Sequence, residues 1–338
     1  MATVFITGFE DGSLNTLDSF SGMTAVTTQK RTGAYSAYAS ASGHWGNILL
    51  PASYGEIYIR FGFRPTGSSG GGGGGPYFLR MSDANFVNHL QFSYATSSGL
   101  ISVKRPSDTI ATSTVPLINN IWNCIEMHII IDDSTGVVAM KVEGVLGINF
   151  SGDTRNYGLA SVKVIGLGQG RDPGDYWGLA YGYYDDFVVN DTSGNYNNSW
   201  PGLGGVISLP VSGTGDHTGL TPSTGDNYAC VDEIPASDTD YVFSDTADVY
   251  DLYALDTSAI PAHCTVAAVK WAGRGGISSG TGNITPVIRS ESTTEQQSDI
   301  AVSTDAALKT LVLSVDPIDT TEWTRDKLLA LEAGVAVG

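Results

Sequence analysis

Apolar and polar residues alternate most regularly between residues 119 and 144, where the chain reads NNIWNCIEMHIIIDDSTGVVAMKVEG. In an extended chain, Ile125 and Met127 lie on one face, and Glu126 and His128 lie on the opposite face. The run Asp-Asp-Ser-Thr-Gly that follows is typical of a tight turn, and its glycine can take a positive φ. Alternation then resumes, so the pattern predicts a β-hairpin inside a layered sheet.

Short apolar runs separated by turn residues recur along the whole chain. This spacing is typical of an all-β protein built as a sandwich or jelly roll, and we predict no helix in the first part. The predicted strands are residues 4–9, 34–39, 56–63, 87–94, 100–104, 122–131, 137–142, 162–168, 183–189, 228–233, 240–244, 249–255, 266–272, 285–289 and 310–315.

One short helix is predicted near the C-terminus. Thr324 has the side chain of an N-cap, Leu328, Leu329 and Leu331 supply an apolar side, and Gly334 is placed to end the helix. We therefore expect the second part of the chain to be a β-sandwich module with one short terminal helix.

Changes in composition along the chain indicate two modules. Residues 193–205 are polar and rich in glycine, which predicts a linker between modules at 1–192 and 206–338. Residues 68–75 read SSGGGGGG, and we expect a flexible loop there because glycine loses the most conformational freedom on ordering.

The chain of 338 residues carries a net charge of −18, with 17 Lys and Arg against 35 Asp and Glu. A phosphate backbone is bound by clustered basic residues, and we find no basic run, so we expect no nucleic-acid partner. The N-terminus lacks the pattern of a secretory signal, and no apolar run approaches the ~18 residues of a membrane span. We expect a protein that does not associate with membranes and that is made in the cytoplasm.

Three cysteines are too few for a disulfide scaffold in a chain of this size. Cys124 falls within a predicted strand, where a small buried apolar side chain is expected. Cys230 and Cys264 lie in the same predicted module, and spacing alone leaves their pairing open.

Residues 1–192 resemble the concanavalin A-like lectin/glucanase group in its laminin-G-type variety. The resemblance is carried by Gly-Phe-Glu-Asp at 8–11, Arg-Thr-Gly-Ala-Tyr-Ser at 31–36, Trp122 with Glu126, and Tyr-Asp-Asp-Phe-Val-Val at 184–189. It implies a curved, two-sheet jelly roll, in a class that holds both sugar binders and inert structural modules.

Residues 204–337 resemble a C-terminal segment of bacteriophage virion proteins. The matching stretches are Asn-Tyr at 227–228, Tyr-Asp-Leu-Tyr at 250–253, Asp-Pro at 316–317 and the run from Trp323 to Val335. The resemblance implies part of a head, tail or fibre protein.

Catalytic patterns are weak. A retaining glucanase needs two carboxyl groups about 5 Å apart, and the strand that would supply them continues after Glu126 with Met, His and three Ile. Gly-x-Ser-x-Gly occurs around Ser69 and Ser278, but neither match shows the strand-to-helix context of a nucleophile elbow. The five histidines lack metal-ligand spacing, so we expect a non-enzymatic protein without a zinc site and with no required cofactor.

Two binding hypotheses remain. Carboxylates near the ends of two strands that are often adjacent in this class suggest a structural calcium ion, and the alternative is that they cap turns or face solvent. The candidate calcium ligands are Glu10, Asp11, Asp185 and Asp186.

Polar and aromatic positions opposite the apolar ones predict a glycan-binding or partner-binding face, which the alternation would expose on one concave sheet. The alternative is a solvated sheet face. The residues of the predicted face are Tyr58, Arg60, Arg64, His89, Gln91, Glu126, His128 and Lys141.

Our leading functional prediction is a non-enzymatic bacteriophage structural protein on the virion exterior, as a capsid decoration, tail or fibre component. The alternatives are a carbohydrate-binding adhesin that recognises a host surface glycan and an unusual glycan hydrolase. We expect other virion proteins of the capsid or tail as partners and a homo-oligomer such as a trimer.

Overall fold

The computed structural model describes residues 2–41, 43–69, 77–106, 108–168 and 179–338. The chain divides into two compact units, Met1–Val206 and Ile207–Gly338. Both are built almost wholly from antiparallel strands, so the predicted all-β class is confirmed. Most of the predicted glycine loop, residues 70–75, lies outside the described residues.

Among the described residues, the first unit has fifteen strands, which hydrogen bonding links into one continuous sheet folded into two layers, here called sheet I and sheet II. Its strands are β1 Thr3–Thr7, β2 Ser19–Ser21, β3 Thr24–Val26, β4 Ser36–Ala39, β5 Trp45–Tyr54, β6 Glu56–Ser69, β7 Tyr77–Ser82, β8 Asn88–Tyr94, β9 Ile101–Arg105, β10 Asp108–Thr112, β11 Asn123–Ile130, β12 Gly136–Val142, β13 Val145–Gly152, β14 Val162–Gly168 and β15 Leu179–Asn190.

Sheet I has the strand order β3-β4-β15-β6-β11-β12-β13, with β1 also paired to β15. Sheet II has the order β2-β5-β14-β7-β8-β9-β10. The two sheets are joined in hydrogen bonding where Leu179 of β15 pairs with Tyr77 of β7. This arrangement is the two-layer jelly-roll sandwich expected for the first part of the chain.

Aromatic and branched side chains from both sheets fill the space between the layers. Phe63 of sheet I stacks on Phe78 of sheet II with ring centroids 5.0 Å apart. Tyr184 is fully buried and donates its hydroxyl to the carbonyl of Phe78 at 2.8 Å. Because neighbouring residues of a strand point to opposite faces, these core positions determine which side chains remain outside.

The second unit contains smaller sheets. Its elements are β16 Val211–Thr218, β17 Thr221–Pro222, a 3₁₀ turn Asn227–Cys230, β18 Val242–Phe243, β19 Tyr250–Leu255, β20 Val269–Gly275, β21 Gly282–Ser290, β22 Thr293–Gln296, β23 Ile300–Val302, β24 Ala307–Leu313, α1 Arg325–Leu329 and β25 Glu332–Val337. One sheet has the order β16-β19-β25-β21-β22, with β23 also on β21. The pairs β17–β18 and β20–β24 form two-stranded sheets.

The predicted terminal helix is present but shorter than expected. Thr324 is its N-cap and accepts the backbone N–H of Lys327. The helix ends at Leu329, and Gly334, which we expected to end it, lies in β25. A Cβ at position 334 would overlap the carbonyl oxygen of Asp251 on β19, so glycine is needed there for close strand approach.

All three cysteines are free, including Cys230 and Cys264, whose pairing the sequence left open. In the part of the chain that the structure describes, no helix is long and apolar enough to cross a membrane.

Replacing Phe63 with Ala is expected to lower the free energy of unfolding by about 3–5 kcal/mol, because it leaves a cavity between the two sheets. Urea denaturation followed by tryptophan fluorescence measures the change. Tyr157→Ala is the control, since Tyr157 is 75% exposed and its loss is expected to change stability by less than about 0.5 kcal/mol. Equal losses of unfolding free energy in Phe63→Ala and Tyr157→Ala would contradict the assignment of Phe63 to the core.

Candidate functional site

The outer face of sheet I is partly covered by the chain itself. Residues 199–206, here called the covering segment, belong to the first unit rather than forming a free linker. Trp200 places its ring 3.7 Å from the Lys141 ammonium and packs its edge against Tyr58 and His128. The second half of the predicted linker therefore packs on β6, β11 and β12.

Hydrogen bonds hold the covering segment in place. The N–H of Gly202 donates to Glu126 at 2.8 Å, and the N–H of Val206 donates to Asp186 at 2.6 Å. The carbonyl of Gly204 accepts from Arg31 at 2.6 Å. Because buried polar groups are costly without partners, these contacts make the segment a structural part of the unit.

The expectation that eight polar side chains share one exposed sheet face does not hold. Arg60 and Glu126 are buried, and Tyr58, His128 and Lys141 lie against Trp200. The physical reason is that the segment after β15 turns back over the polar side of its own sheet, which alternation along a strand does not reveal.

Three other residues of the predicted face lie apart from this covered region. Arg64 is on sheet I near Tyr183, with its guanidinium carbon 5.8 Å from the Tyr183 ring centre. His89 and Gln91 are on β8, and so belong to sheet II.

The predicted calcium ligands are engaged by donors of the protein. Glu10 accepts the backbone N–H of Ala34 at 2.8 Å, and Asp185 accepts that of Arg31 at 2.7 Å. Asp186 forms an ion pair with the Arg31 guanidinium at 2.7 Å. These N–H groups occupy carboxylate oxygens that a cation would need as ligands.

Asp11 accepts the hydroxyl of Ser13, while its other carboxylate oxygen is buried without a partner among the described residues. Across the ranges that the structure describes, no group of three or more His, Cys, Asp or Glu is arranged to hold a metal ion. The calcium site stays a prediction.

The outer face of sheet II carries a row of polar side chains that face one another in strand register. Arg80 lies opposite Gln91, and Gln91 lies opposite Lys104. On the other side, Arg80 lies opposite Gly166, which lies opposite Asn47. We call these positions the polar row; it comprises Asn47, Gly166, Arg80, Gln91 and Lys104.

The outward direction of the Arg80 and Gln91 side chains follows from the burial of the residues on either side of them in the strand. Leu79 and Met81 beside Arg80, and Leu90 and Phe92 beside Gln91, all belong to the hydrophobic core. Arg80 and Gln91 are each only 5% exposed, so they are about as buried as Arg60 and Glu126 on sheet I, whereas Asn47 and Lys104 are half-buried.

The outward positions 166 and 168 of strand β14 are glycines, and both residues are buried. A Cβ at Gly166 would lie 3.4 Å from Asn47 Oδ1 and 3.6 Å from Arg80 Cβ, and would fill the space between them. Gly168 has a φ of +67°, which favours glycine, and it pairs with Trp45.

Two aromatic side chains flank the polar row. Trp45 lies two residues before Asn47 on β5 and is half-buried on the same outer side. Tyr77 is also half-buried, and the Lys104 ammonium lies 3.4 Å from its hydroxyl. Trp45, Tyr77 and the polar row together form what we call the sheet II groove.

His89 has a structural role beside this groove. Its Nδ1 accepts the backbone N–H of Asn156 at 3.2 Å, and the side chain is fully buried. Burial lowers the pKa of His89 because it disfavours the charged imidazolium.

Sequence reasoning found Gln91 but missed Trp45, Asn47, Tyr77, Arg80 and Lys104. The signal was present, because Arg80 and Lys104 interrupt apolar alternation in YFLRMS and ISVKR. The sequence alone does not give the order of the strands in the sheet, which brings β5, β14, β7, β8 and β9 side by side.

No protein-family model matches the chain, and no curated protein matches it. Among solved structures, the cellulose induced protein Cip1 is similar at 18% identity and a TM-score of 0.43, covering 59% of this chain and all of Cip1. The carbohydrate binding module CBM66 from Bacillus subtilis aligns at 14% identity and 0.31, covering 51% of this chain and 98% of that module. The alginate lyase Aly36B aligns at 12% and 0.31, covering 52% and 83%. At these TM-scores the likenesses carry no functional assignment.

Burial and the neighbouring Asp186 raise the pKa of Asp185 to about 8. A raised pKa means that the folded chain keeps a proton that the unfolded chain releases above about pH 4. The stability from this group is therefore full below about pH 4 and is lost as the pH rises towards 8. We expect Asp185→Asn, which does not titrate, to show a smaller loss of unfolding free energy between about pH 5 and pH 8 than the unchanged protein.

Denaturant titrations of both proteins at the two pH values measure this difference. Comparing the unchanged protein with Asp185→Asn removes the effect of general charge repulsion on the unfolding free energy, because that repulsion acts on both proteins. If the unchanged protein and Asp185→Asn lost the same unfolding free energy between the two pH values, a protonated Asp185 in the folded state would be contradicted.

Proposed function

We propose that the first unit is a carbohydrate-binding module and that the sheet II groove is its binding site. The observation that carries the proposal is the pair of half-buried aromatic side chains, Trp45 and Tyr77, beside the half-buried polar side chains of Asn47 and Lys104 on the outer side of sheet II. This assignment replaces the covered face of sheet I as the glycan site and favours the carbohydrate-binding alternative over the virion role as the function of this unit.

The chemistry of the groove suits a sugar. The half-buried Asn47 offers an amide donor and acceptor and the half-buried Lys104 offers ammonium N–H donors, so hydroxyl groups in different orientations have partners. Asn47 donates its amide to Ser19 at 3.3 Å, which orients the amide oxygen over Gly166. A fixed hydrogen-bonding group loses little entropy when it binds.

Apolar contact is supplied at the edges of the groove. Trp45 presents an indole ring and Tyr77 a phenol ring, and aromatic surfaces pack against the C–H faces of ligands while their polar ends stay hydrated. Few polar groups placed among apolar ones are typical of small-molecule sites.

A position on a sheet face also gives rigidity. The strands that carry the polar row are hydrogen-bonded on both sides within sheet II, so their side chains keep fixed spacings of about 4.8 Å from strand to strand.

The virion location, the virion partners and the homo-oligomer stay predictions. A carbohydrate-binding first unit is compatible with a role in recognising a host surface glycan, which was our alternative prediction.

A glycan array screened with the full chain identifies a ligand, and calorimetry then measures the affinity. Trp45→Ala is expected to weaken binding about tenfold or more, because removing a central aromatic contact costs more than about 1 kcal/mol. Trp122→Ala is the matched control: Trp122 is also half-buried, but it lies beside Tyr183 of sheet I. Weaker binding in the control alone, or no ligand on the array, would overturn the proposal.

The same ligand tests whether the protein is an enzyme. We expect binding without turnover, since the sequence shows no recognisable pair of catalytic carboxylates. A reducing-end assay on the bound glycan measures cleavage. Release of new reducing ends, abolished by Gln91→Ala and kept in Trp122→Ala, would show that the groove is catalytic.

A further inference from the structure

Two turns of the first unit meet where β7 ends and β8 and β14 begin. The first turn, residues 83–87, joins β7 to β8, and the second turn, residues 155–159, lies between β13 and β14. Together they display three apolar side chains: Phe86 is 61% exposed, Tyr157 75% and Leu159 49%. We call these two turns the apolar tip.

A buried carboxylate is the first group that ties the apolar tip together. Asp83 is fully buried, and its Oδ1 accepts the backbone N–H groups of Asn85 and Val87 at 2.8 and 2.9 Å. Its Oδ2 accepts the N–H of Leu159, from the second turn, at 2.8 Å. A Cβ at Gly158 would lie 2.6 Å from this Oδ2, so only glycine allows the backbone to approach so closely. A buried carboxylate needs such partners, and they join the two turns through Asp83.

A histidine is the second group that holds the tip. His89 lies on β8 and is fully buried, and its Nδ1 accepts the backbone N–H of Asn156 at 3.2 Å. The Asn156 side chain donates to the carbonyl of Asn88 at 3.0 Å. A ring nitrogen that accepts an N–H carries no proton of its own. Protonation of His89 therefore turns this acceptor into a donor that faces another donor.

Two charged side chains of the tip act on His89. Asp83 belongs to the first turn, and Arg155 belongs to the second turn and pairs with Asp133 at 2.9 Å. Burial has the largest effect on the pKa of His89 and lowers it; the Leu159 backbone and Asp83 raise it, and Arg155 lowers it. The net direction is downward, so the folded ring stays neutral at a pH where a free histidine takes up a proton.

We propose that His89 is a pH-sensitive latch for the second turn: protonation of its ring breaks the bond to Asn156 and frees the part of the turn that carries Tyr157. At neutral pH the ring accepts the N–H and the latch is closed. Once the turn opens, the ring meets water and takes up a proton at the ordinary histidine pKa of about 6.5. The closed state therefore loses stability against the open state as the pH falls below about 6.5.

The opening is expected to stop at Leu159. Burial raises the pKa of Asp83, but its three backbone N–H donors lower it more, and the net direction is downward. Asp83 therefore stays charged over the range in which a histidine titrates, and it keeps the N–H of Leu159. The first turn, with Phe86, is held by the same carboxylate and is expected to stay closed.

Amide hydrogen exchange of the full chain, read at single residues by nuclear magnetic resonance, measures this opening. Between about pH 7.5 and about pH 5.5, we expect the exchange of Asn156, corrected for its intrinsic rate, to rise about tenfold, because the open state gains a proton. The corrected exchange of Leu159 and of β11 in the core is expected to show no such rise.

His89→Asn keeps a hydrogen-bond acceptor on a short side chain but does not titrate. We expect the corrected exchange of Asn156 in this variant to be independent of pH over the same range. His263→Asn is the matched control, because His263 is exposed and lies in the second unit, and we expect it to keep the rise. Circular dichroism and thermal melting establish that both variants are folded, and the measurement on the unchanged protein does not depend on either.

Three results would overturn the latch. Equal rises at Asn156, at Leu159 and in β11 would show that protonation destabilises the whole unit instead of one turn. Exchange of Asn156 that does not change with pH, or a rise that persists in His89→Asn, would show that His89 does not control the turn.

Discussion

The packing of two sheets against each other is the constraint on which the rest of the first unit depends. The contact of Phe63 with Phe78 fixes one sheet on the other, and alternation then fixes the outward side chains of every neighbouring strand. A slip of one residue in β7 would exchange Arg80 for Leu79 on the outer face. The groove is thus a consequence of the core.

The outer faces of sheet I and sheet II differ in what surrounds their polar side chains. On sheet I, Trp200 and the backbone N–H groups of Gly202 and Val206 satisfy polar side chains that would otherwise meet solvent. On sheet II, the polar row is flanked by the half-buried aromatic rings of Trp45 and Tyr77. A face whose polar groups are used inside the protein supports its structure, whereas half-buried aromatic and polar side chains on a sheet face suit the ligand binding that we propose.

Much of the fold could be predicted from the sequence, and little of the site. The hairpin around residues 119–144 is present as β11 and β12, and Thr324 caps the terminal helix as expected. Alternation assigned Glu126 and His128 to the outside of the strand correctly. It could not show that Trp200, more than 70 positions later, covers them, because such contacts depend on the tertiary path of the chain. For the same reason the sequence could not predict that Trp45 and Lys104 lie on the same sheet face as Gln91, since only the strand order of sheet II brings them together.

The most direct test of the binding face is nuclear magnetic resonance of the tryptophan indole groups during titration with a bound glycan. The chain has six tryptophans, and single Trp→Phe variants assign their indole N–H signals. We predict that the signal of Trp45 shifts with increasing glycan while those of Trp122 and Trp200 stay in place. Shifts of Trp122 or Trp200 with an unmoved Trp45 would place the ligand on sheet I and contradict the account.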